Sequence, residues 1–145
     1  MYRKPALSAI AVWIVAMAIP SIGFANETEK QAQLAIAEFF EAFNAEDNER
    51  LQSVMQYPHV FFGQGANVSI AEQEFVTDFG ALKAREDWKF STLNSAKSVF
   101  TRPDKAHMLV TFTRHNSKGE IYREVEGMWI VTKKDDRWGV SARSY

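Results

Sequence analysis

The sequence predicts an α+β domain in which helices pack on one face of a curved, mostly antiparallel sheet. Residues 88–145 read as four strands joined by three polar turns, and an aromatic amphipathic helix at residues 32–45 precedes them. Helices followed by a run of sequential strands are typical of α+β domains. Because a curved sheet of this kind encloses a pocket, the fold class also predicts small-molecule binding.

Three helices are predicted outside the long strands. The first, residues 32–45, has a wide apolar stripe, and its apolar residues at helical spacing are Leu34, Ile36, Ala37, Phe40 and Phe43. Asp47 is expected to cap a second helix at residues 48–56, because a carboxylate there accepts hydrogen bonds from unpaired N–H groups. A third helix is predicted at residues 72–83.

The strands are predicted from alternation and from turn residues. A small hairpin pairs residues 59–62 with 68–70, and the long strands are residues 88–101, 105–115, 121–132 and 138–144. The second long strand alternates, with Met108, Val110 and Phe112 on one face. Both faces of the sheet carry apolar residues, so the sequence leaves open which face lines the pocket.

The first 25 residues have the layout of a secretory signal. Arg3 and Lys4 precede an apolar run at residues 6–19, and small residues precede a predicted cut after Ala25. The run is shorter than the roughly 20 residues that cross a bilayer. We therefore expect a secreted or periplasmic domain, residues 26–145, without a stable membrane anchor after cleavage. The alternative is an uncleaved membrane anchor.

Composition excludes several classes of function. The 145 residues contain 17 Lys and Arg against 18 Asp and Glu, a net charge of −1, and the charges are well mixed. Nucleic-acid binding is not expected, because it depends on neutralising phosphates with a basic surface. The chain has no cysteine, so no disulfide, thiol nucleophile or thiolate ligand can form.

The histidines do not predict a metal site. His107 and His115 share a strand face but lie about 26 Å apart at the usual rise per residue. No HxH or HxxxH spacing occurs in the sequence. No cofactor motif, such as a phosphate-binding loop, is present either, and no cofactor is expected.

The order of these elements resembles the nuclear transport factor 2-like superfamily. The similar stretches are AIAEFFEAFNAED, YPHVFF and GMWIVTKKDDRWGVSARSY. The resemblance covers nearly all of residues 26–145 and implies a cone-shaped fold with three N-terminal helices. It implies no single activity, because the superfamily includes isomerases, cyclases, dehydratases and non-enzymatic adaptors.

The resemblance allows one enzyme mechanism to be tested. Ketosteroid isomerases of this superfamily use a tyrosine on the first helix, a carboxylate base on the hairpin and a neutral acid on the sheet. The corresponding positions here are Phe39, Gly63 or Gln64, and Gly127, none of which carries the required group. Isomerisation by that mechanism is therefore disfavoured.

A few polar and aromatic residues remain as site candidates. His59 lies near the expected hairpin base and is the candidate general base, but a hydrogen bond to a backbone group is the more common role of a lone histidine at a strand start. Arg114 and Arg143 could clamp a carboxylate or phosphate; the alternative is an ion pair with Glu124 or Glu126. The aromatic candidates for ligand binding, which could instead be core residues, are Tyr57, Trp88 and Trp129.

Two functions follow as hypotheses. The first is an exported binding module that takes a small apolar or acidic ligand, or a partner protein, without catalysis. The second is a cyclase-, isomerase- or hydrolase-like enzyme that uses His59 as general base, with Tyr57 or Arg143. A homodimer through the open sheet face is also expected, and its candidate interface residues are Leu109, Thr111, Thr113, Tyr122 and Ile130.

Overall fold

The structure is a computed structural model that describes residues 21–145. Its helices are α1 (Ser21–Asn44), α2 (Asn48–Val54) and α3 (Phe79–Glu86). Its strands are β1 (Met55–Phe62), β2 (Val68–Ala71), β3 (Trp88–Arg102), β4 (Lys105–Asn116), β5 (Ile121–Lys134) and β6 (Arg137–Ser144). Residues 1–20 of the predicted signal segment lie outside the described residues, so the signal and its cut stay predictions. Within the described part, no helix has the length and apolar character needed to cross a bilayer.

The strands form one six-stranded sheet in the order β2-β1-β6-β5-β4-β3. Strand β1 runs parallel to β6, and the other neighbouring pairs are antiparallel. The predicted meander of four long strands is confirmed as β3 to β6. The pairing of β3 with β4 shifts register between Leu93 and Ser95, where the alternation of the sequence weakens. The α+β class, with helices on a mostly antiparallel sheet, is confirmed.

Helix α1 supplies most of the helical contribution to the core. Its buried stripe is Ala32, Ala35, Ile36, Phe39, Phe40, Ala42 and Phe43. These positions recur at the three- and four-residue spacing of one helix face. The stripe is rotated relative to the predicted one, because Leu34 is 55% exposed while Phe39 is buried. Phe39 and Phe40 both contact Trp129 of β5, so the aromatic face of the helix meets the aromatic face of the sheet.

Several predicted boundaries are wrong, the first being that of α1, which begins at Ser21 rather than at residue 32. Helix α2 ends at Val54, and β1 begins at Met55, before the predicted strand start at His59. The third helix begins at Phe79, since the Asp78 carboxylate caps it by accepting the N–H of Ala81 at 2.8 Å. Residues 72–78, predicted as helix, form a loop without regular structure. The Asp47 cap of α2 is confirmed, with the Arg50 N–H at 2.9 Å from its carboxylate.

The structure also decides which face of the sheet the helices cover. Met108 and Val110 are fully buried beneath the helices, while Leu109 between them is only half-buried on the open face. Tyr122 was expected on the open face, but its hydroxyl donates to Glu86 of α3 at 3.1 Å. The reason is a register shift after Arg114, which changes the alternation of β5 at this point.

Candidate functional site

A cavity of about 290 Å³ lies between the helices and the covered face of the sheet. Seven of its sixteen lining residues are aromatic, namely Phe39, Phe40, Phe43, Phe61, Phe75, Phe112 and Tyr145. The charged residues of the lining are Asp78, Arg85, Arg114 and Arg143. We call this space the Arg143 cavity.

Arg143 is the unusual residue of this cavity. It lies near the end of β6, and only 5% of the residue is exposed. Among residues 21–145, no carboxylate forms an ion pair with it. A guanidinium stays protonated in proteins, and burying an unpaired charge costs several kcal/mol. The cavity therefore contains a permanent positive charge that lacks an anionic partner in the described part of the chain.

Aromatic rings surround this guanidinium and offset part of its burial. The Arg143 Cζ atom lies 4.8 Å from the ring centroid of Phe39, 5.2 Å from that of Phe75 and 5.3 Å from that of Phe61. The Trp129 ring centroid is 5.7 Å away. Distances below about 6 Å are typical of cation–π contacts, which stabilise a desolvated cation. The rings come from α1, β1, β5 and the 72–78 loop, so four parts of the fold fix one charge.

His59 does not line the cavity itself, but it holds the Arg143 guanidinium by a hydrogen bond. Its Nδ1 lies 3.0 Å from the carbonyl oxygen of Val140, which can only accept, so Nδ1 carries the proton. Its Nε2 therefore accepts the Arg143 Nε–H, at 3.1 Å. Burial, and then the positive charge of Arg143, lower the pKa of His59 to about 4, although the Val140 carbonyl acts in the opposite direction. The imidazole is thus neutral near pH 7, and its lone pair is already used.

The C-terminal side of β6 closes the inner end of the cavity. The Tyr145 ring packs 5.5 Å from Phe61 and 5.7 Å from Phe112, measured between centroids. Gly127 of β5 makes room for this ring, because a Cβ there would lie 2.7 Å from the Tyr145 ring and closer still to Ser144. A side-chain acid at position 127, which the isomerase mechanism would need, has no space.

Arg114 occupies the same cavity but is paired. Its Nη1 atom lies 2.5 Å from the Glu86 carboxylate, which also accepts from Arg85 and from the Tyr122 hydroxyl. Burial alone would raise the pKa of Glu86, but these donors and the charge of Arg114 together lower it below its usual value. Arg114 was expected to pair with Glu124 or Glu126 if it was structural. The partner is instead at the C-terminal end of α3.

The 72–78 loop forms one wall of the cavity and is held by side chains. Asn48 of α2 binds Thr77 twice, through the Thr77 N–H at 2.9 Å and the Thr77 carbonyl at 3.1 Å. The Tyr57 hydroxyl accepts the N–H of Phe75 at 3.2 Å. The Thr77 Oγ1 atom is buried, and no hydrogen-bond partner for it is present among the described residues.

The six sequence candidates therefore have different locations. Arg114 and Arg143 line the cavity, whereas His59 contacts it through Arg143. Tyr57 supports the loop wall, Trp129 packs behind Phe39 and Phe40, and Trp88 lies in the core against Phe43 and Phe79. Ligand binding by these residues stays a prediction.

Sequence reasoning missed several lining residues. Those absent from the candidates include Phe61, Phe75, Thr77, Asp78 and Ser91. Asp78 could have been found as an N-cap signal before a helix, but it was placed inside the predicted helix 72–83. Thr77 carries no signal in the sequence, because its position depends on the loop that Asn48 holds.

Comparison with known proteins gives similarity in structure but not in sequence. No family model matches the chain, and no curated protein is significantly similar to it. A protein of unknown function with a cystatin-like fold from Nostoc punctiforme has a TM-score of 0.66 at 16% identity, over 79% of this chain and 86% of its own. A candidate dehydratase of the NTF2-like family from Streptomyces avermitilis has a TM-score of 0.64 at 18% identity, over 82% and 94%.

A third solved structure extends the same likeness. A ketosteroid isomerase-like protein from Erwinia carotovora atroseptica has a TM-score of 0.58 at 17% identity, over 82% of this chain and 95% of its own. Identities this low establish the fold and not the activity. The chain has the NTF2-like, cystatin-like fold that the sequence resemblance implied.

Proposed function

We propose that the protein binds a small aromatic carboxylate in the Arg143 cavity and performs no chemistry on it. The carboxylate pairs with the Arg143 guanidinium, and the ring of the ligand packs among the phenylalanines of the lining. The observation that supports this proposal is a buried arginine, 5% exposed, that lines the cavity and forms no ion pair with a carboxylate of residues 21–145. Arginine suits this task because its planar donors match a carboxylate.

A direct test measures benzoate binding by calorimetry or by chemical-shift titration at pH 7. Arg143→Met keeps an unbranched apolar side chain but removes the charge. We expect it to weaken benzoate binding about 10- to 100-fold, the size of a hydrogen bond to a charged group. Arg102→Met is the matched control, because Arg102 is exposed at the end of β3, stacks on Phe100 and does not line the cavity. Equal affinity of the two variants for benzoate would refute the proposal.

The alternative function, catalysis with His59 as general base, has less support. A general base needs a lone pair directed at the substrate and a pKa near the working pH. The Nε2 lone pair of His59 accepts from Arg143, and burial lowers the pKa of His59 to about 4. Turnover of any substrate that His59→Gln abolished, with the fold intact, would favour the enzyme over the binding module.

We also propose that a second copy of the chain covers the open sheet face. Exposed apolar residues lie on this face, among them Phe62 (43%), Ile70 (59%) and Met128 (37%). Lys97 and Glu126 lie on the same face, on either side of Leu109 and Thr111. A two-fold axis could therefore place Lys97 of each copy opposite Glu126 of the other. Light scattering should give a dimer that Met128→Asp dissociates, and a monomeric wild type would exclude it.

The place of binding follows from the predicted signal segment. We propose that the protein works outside the cytoplasm, as a secreted or periplasmic protein. Its N-terminus after export should then be Asn26. N-terminal sequencing of the protein recovered from its own cells tests this directly, since a retained Met1 would point to an uncleaved anchor instead.

A further inference from the structure

We infer that Arg143 binds the ligand carboxylate end-on, through its two Nη groups, and that His59 is a positioning residue that keeps the Arg143 Nε–H away from the ligand. An arginine can bind a carboxylate side-on, through Nε and one Nη, or end-on, through both Nη groups. This inference rests on the proposed function, because it takes an anionic ligand at Arg143 as given. It adds which edge of the guanidinium the ligand contacts.

The Nε–H of Arg143 is already used inside the protein. It donates to the His59 Nε2 atom at 3.1 Å, and His59 is itself only 1% exposed. A ligand that took this N–H would leave the buried Nε2 lone pair without a donor. Because buried polar groups without partners are unfavourable, the hydrogen bond to His59 is retained in preference. Side-on binding, which needs the Nε–H, is therefore disfavoured.

The register of the sheet places His59 beside Arg143. Phe61 pairs with Arg143 across the parallel strands β1 and β6. His59 lies two residues before Phe61 and therefore on the same face of β1. The imidazole is also fixed at its other nitrogen, because Nδ1 donates to the Val140 carbonyl of β6 at 3.0 Å. A guanidinium held by a fixed acceptor loses little conformational freedom when the ligand binds.

The two Nη groups of Arg143 remain available to a ligand. Within residues 21–145, the guanidinium makes its one side-chain hydrogen bond through Nε. The fully buried side-chain polar atoms that lack a partner there are Thr77 Oγ1, Arg114 Nε and Trp129 Nε1. Neither Nη atom of Arg143 belongs to this set, so both retain accessible surface. Since Arg143 lines the cavity, we assign this surface to the cavity side.

The other neighbours of the guanidinium do not compete for the Nη groups. The rings of Phe39, Phe75 and Phe61 lie 4.8, 5.2 and 5.3 Å from the Arg143 Cζ atom, and phenylalanine carries no side-chain oxygen or nitrogen. The two Nη atoms are bonded to one carbon, so their spacing matches that of the two oxygens of one carboxylate. A single ligand group therefore reaches both donors.

Nuclear magnetic resonance of the isotope-labelled wild type tests the geometry directly. A scalar coupling across the hydrogen bond joins the Arg143 Nε and His59 Nε2 nuclei only while the Nε–H donates to the imidazole. The Arg143 Nε signal is identified by its loss in Arg143→Met. We expect the coupling both in the free protein and at saturating benzoate. Its loss on addition of benzoate, or its absence from the free protein, would overturn the inference.

Variants at His59 test the positioning role through the dissociation constant of benzoate. His59→Leu removes the acceptor and should weaken benzoate binding about 3- to 10-fold, the range for one net hydrogen bond. His59→Gln still offers an acceptor and should keep the affinity within about twofold of the wild type. His107→Leu is the matched control and should not change the affinity, because His107 lies on β4 outside the cavity lining.

The outcomes separate the two proposals. If benzoate does not bind, or binds equally well to Arg143→Met, the proposed function fails. If benzoate binding depends on Arg143 but the coupling disappears on binding, only the end-on geometry fails. Wild-type affinity in His59→Leu, or an equal loss in His59→Leu and His59→Gln, would overturn the positioning role of His59. Should His59→Leu not fold, the coupling measured in the wild type still decides whether His59 holds the Nε–H in the complex.

Discussion

Arg143 and Arg114 line the same cavity, but their environments differ. Arg114 is paired with Glu86 at the C-terminal end of α3, and the pair is joined by Arg85 and Tyr122. Arg143 is surrounded by aromatic rings, and its Nε–H donates a hydrogen bond to the neutral Nε2 of His59. One arginine has its counter-charge within the described chain, whereas the other has none there.

The difference indicates separate roles. A paired arginine stabilises the fold locally, because removing either partner leaves a charge half-buried. An unpaired buried arginine lowers stability unless a ligand neutralises it, which supports the binding role proposed for Arg143. His59, the two arginines and Asp78 of the cavity lining each offer a test of this division.

The largest expected effect is the change in unfolding free energy with pH that His59 causes. Its pKa is lowered in the folded protein to about 4, below the value of 6.5 for an ordinary histidine. Between these values the unfolded chain binds a proton that the folded chain does not, so stability falls as the pH drops from about 6.5 to 4. The loss should reach about 2–3 kcal/mol at pH 4.

Urea unfolding of the wild type and of His59→Gln over this pH range measures the effect. Glutamine can still accept from Arg143 and donate to the Val140 carbonyl, but it does not titrate. The difference in unfolding free energy between the two proteins should therefore shrink or reverse as the pH falls. His107→Gln, on the open face, is the matched control. Parallel curves for wild type and His59→Gln would mean that His59 is not buried as a neutral base beside Arg143.

The sequence predicted the fold far better than the site, and the helix α1 shows why. Its apolar spacing and the turns of the meander are local signals, and they gave the right class, sheet and helix. The pairing of Arg143 with His59 joins residues 84 positions apart and depends on β1 lying parallel to β6. No local sequence pattern predicts the contact between Arg143 and His59. Both residues were nevertheless predicted as site residues, because of the chemistry of their side chains.

In the 72–78 loop, by contrast, a local pattern was present but predicted the wrong structure. Phe75 and Phe79 have helical spacing in the sequence, so a helix from residue 72 was predicted. The loop form depends on contacts distant in sequence, from Asn48 to Thr77 and from Tyr57 to Phe75. These contacts place Phe75 against Arg143, 5.2 Å from its Cζ atom to the ring centroid. Tertiary hydrogen bonds thus outweighed a short helical pattern and created a wall of the cavity.

The second prediction makes the same substitution at both arginines. Arg114→Met should lower the free energy of unfolding by about 1–3 kcal/mol, because the half-buried Glu86 carboxylate loses its main counter-charge. Arg143→Met should change it by less than about 1 kcal/mol, since removal of an unpaired buried charge offsets the lost hydrogen bond to His59. Chemical denaturation at pH 7 without ligand measures both values.

A double variant then identifies the cause at Arg114. Adding Glu86→Gln to Arg114→Met removes the uncompensated carboxylate, so part of the lost stability should return. Equal losses for the two single arginine variants would end the distinction between a structural and a binding arginine. A large loss at Arg143 alone would reverse the roles assigned here.

The smallest expected effect concerns Asp78, which lines the cavity with Arg143 and also caps α3. Asp78→Ser keeps a good capping oxygen, so the unfolding free energy should change by less than about 0.5 kcal/mol. Removing the carboxylate should raise benzoate affinity about two- to threefold, the size of one screened charge interaction. Asp47→Ser, the same change at the cap of α2 and outside the cavity lining, should leave the affinity as it is. If Asp78→Ser weakened benzoate binding instead, Asp78 would itself hold the ligand, and the anion could not be recognised by the unpaired charge of Arg143 alone.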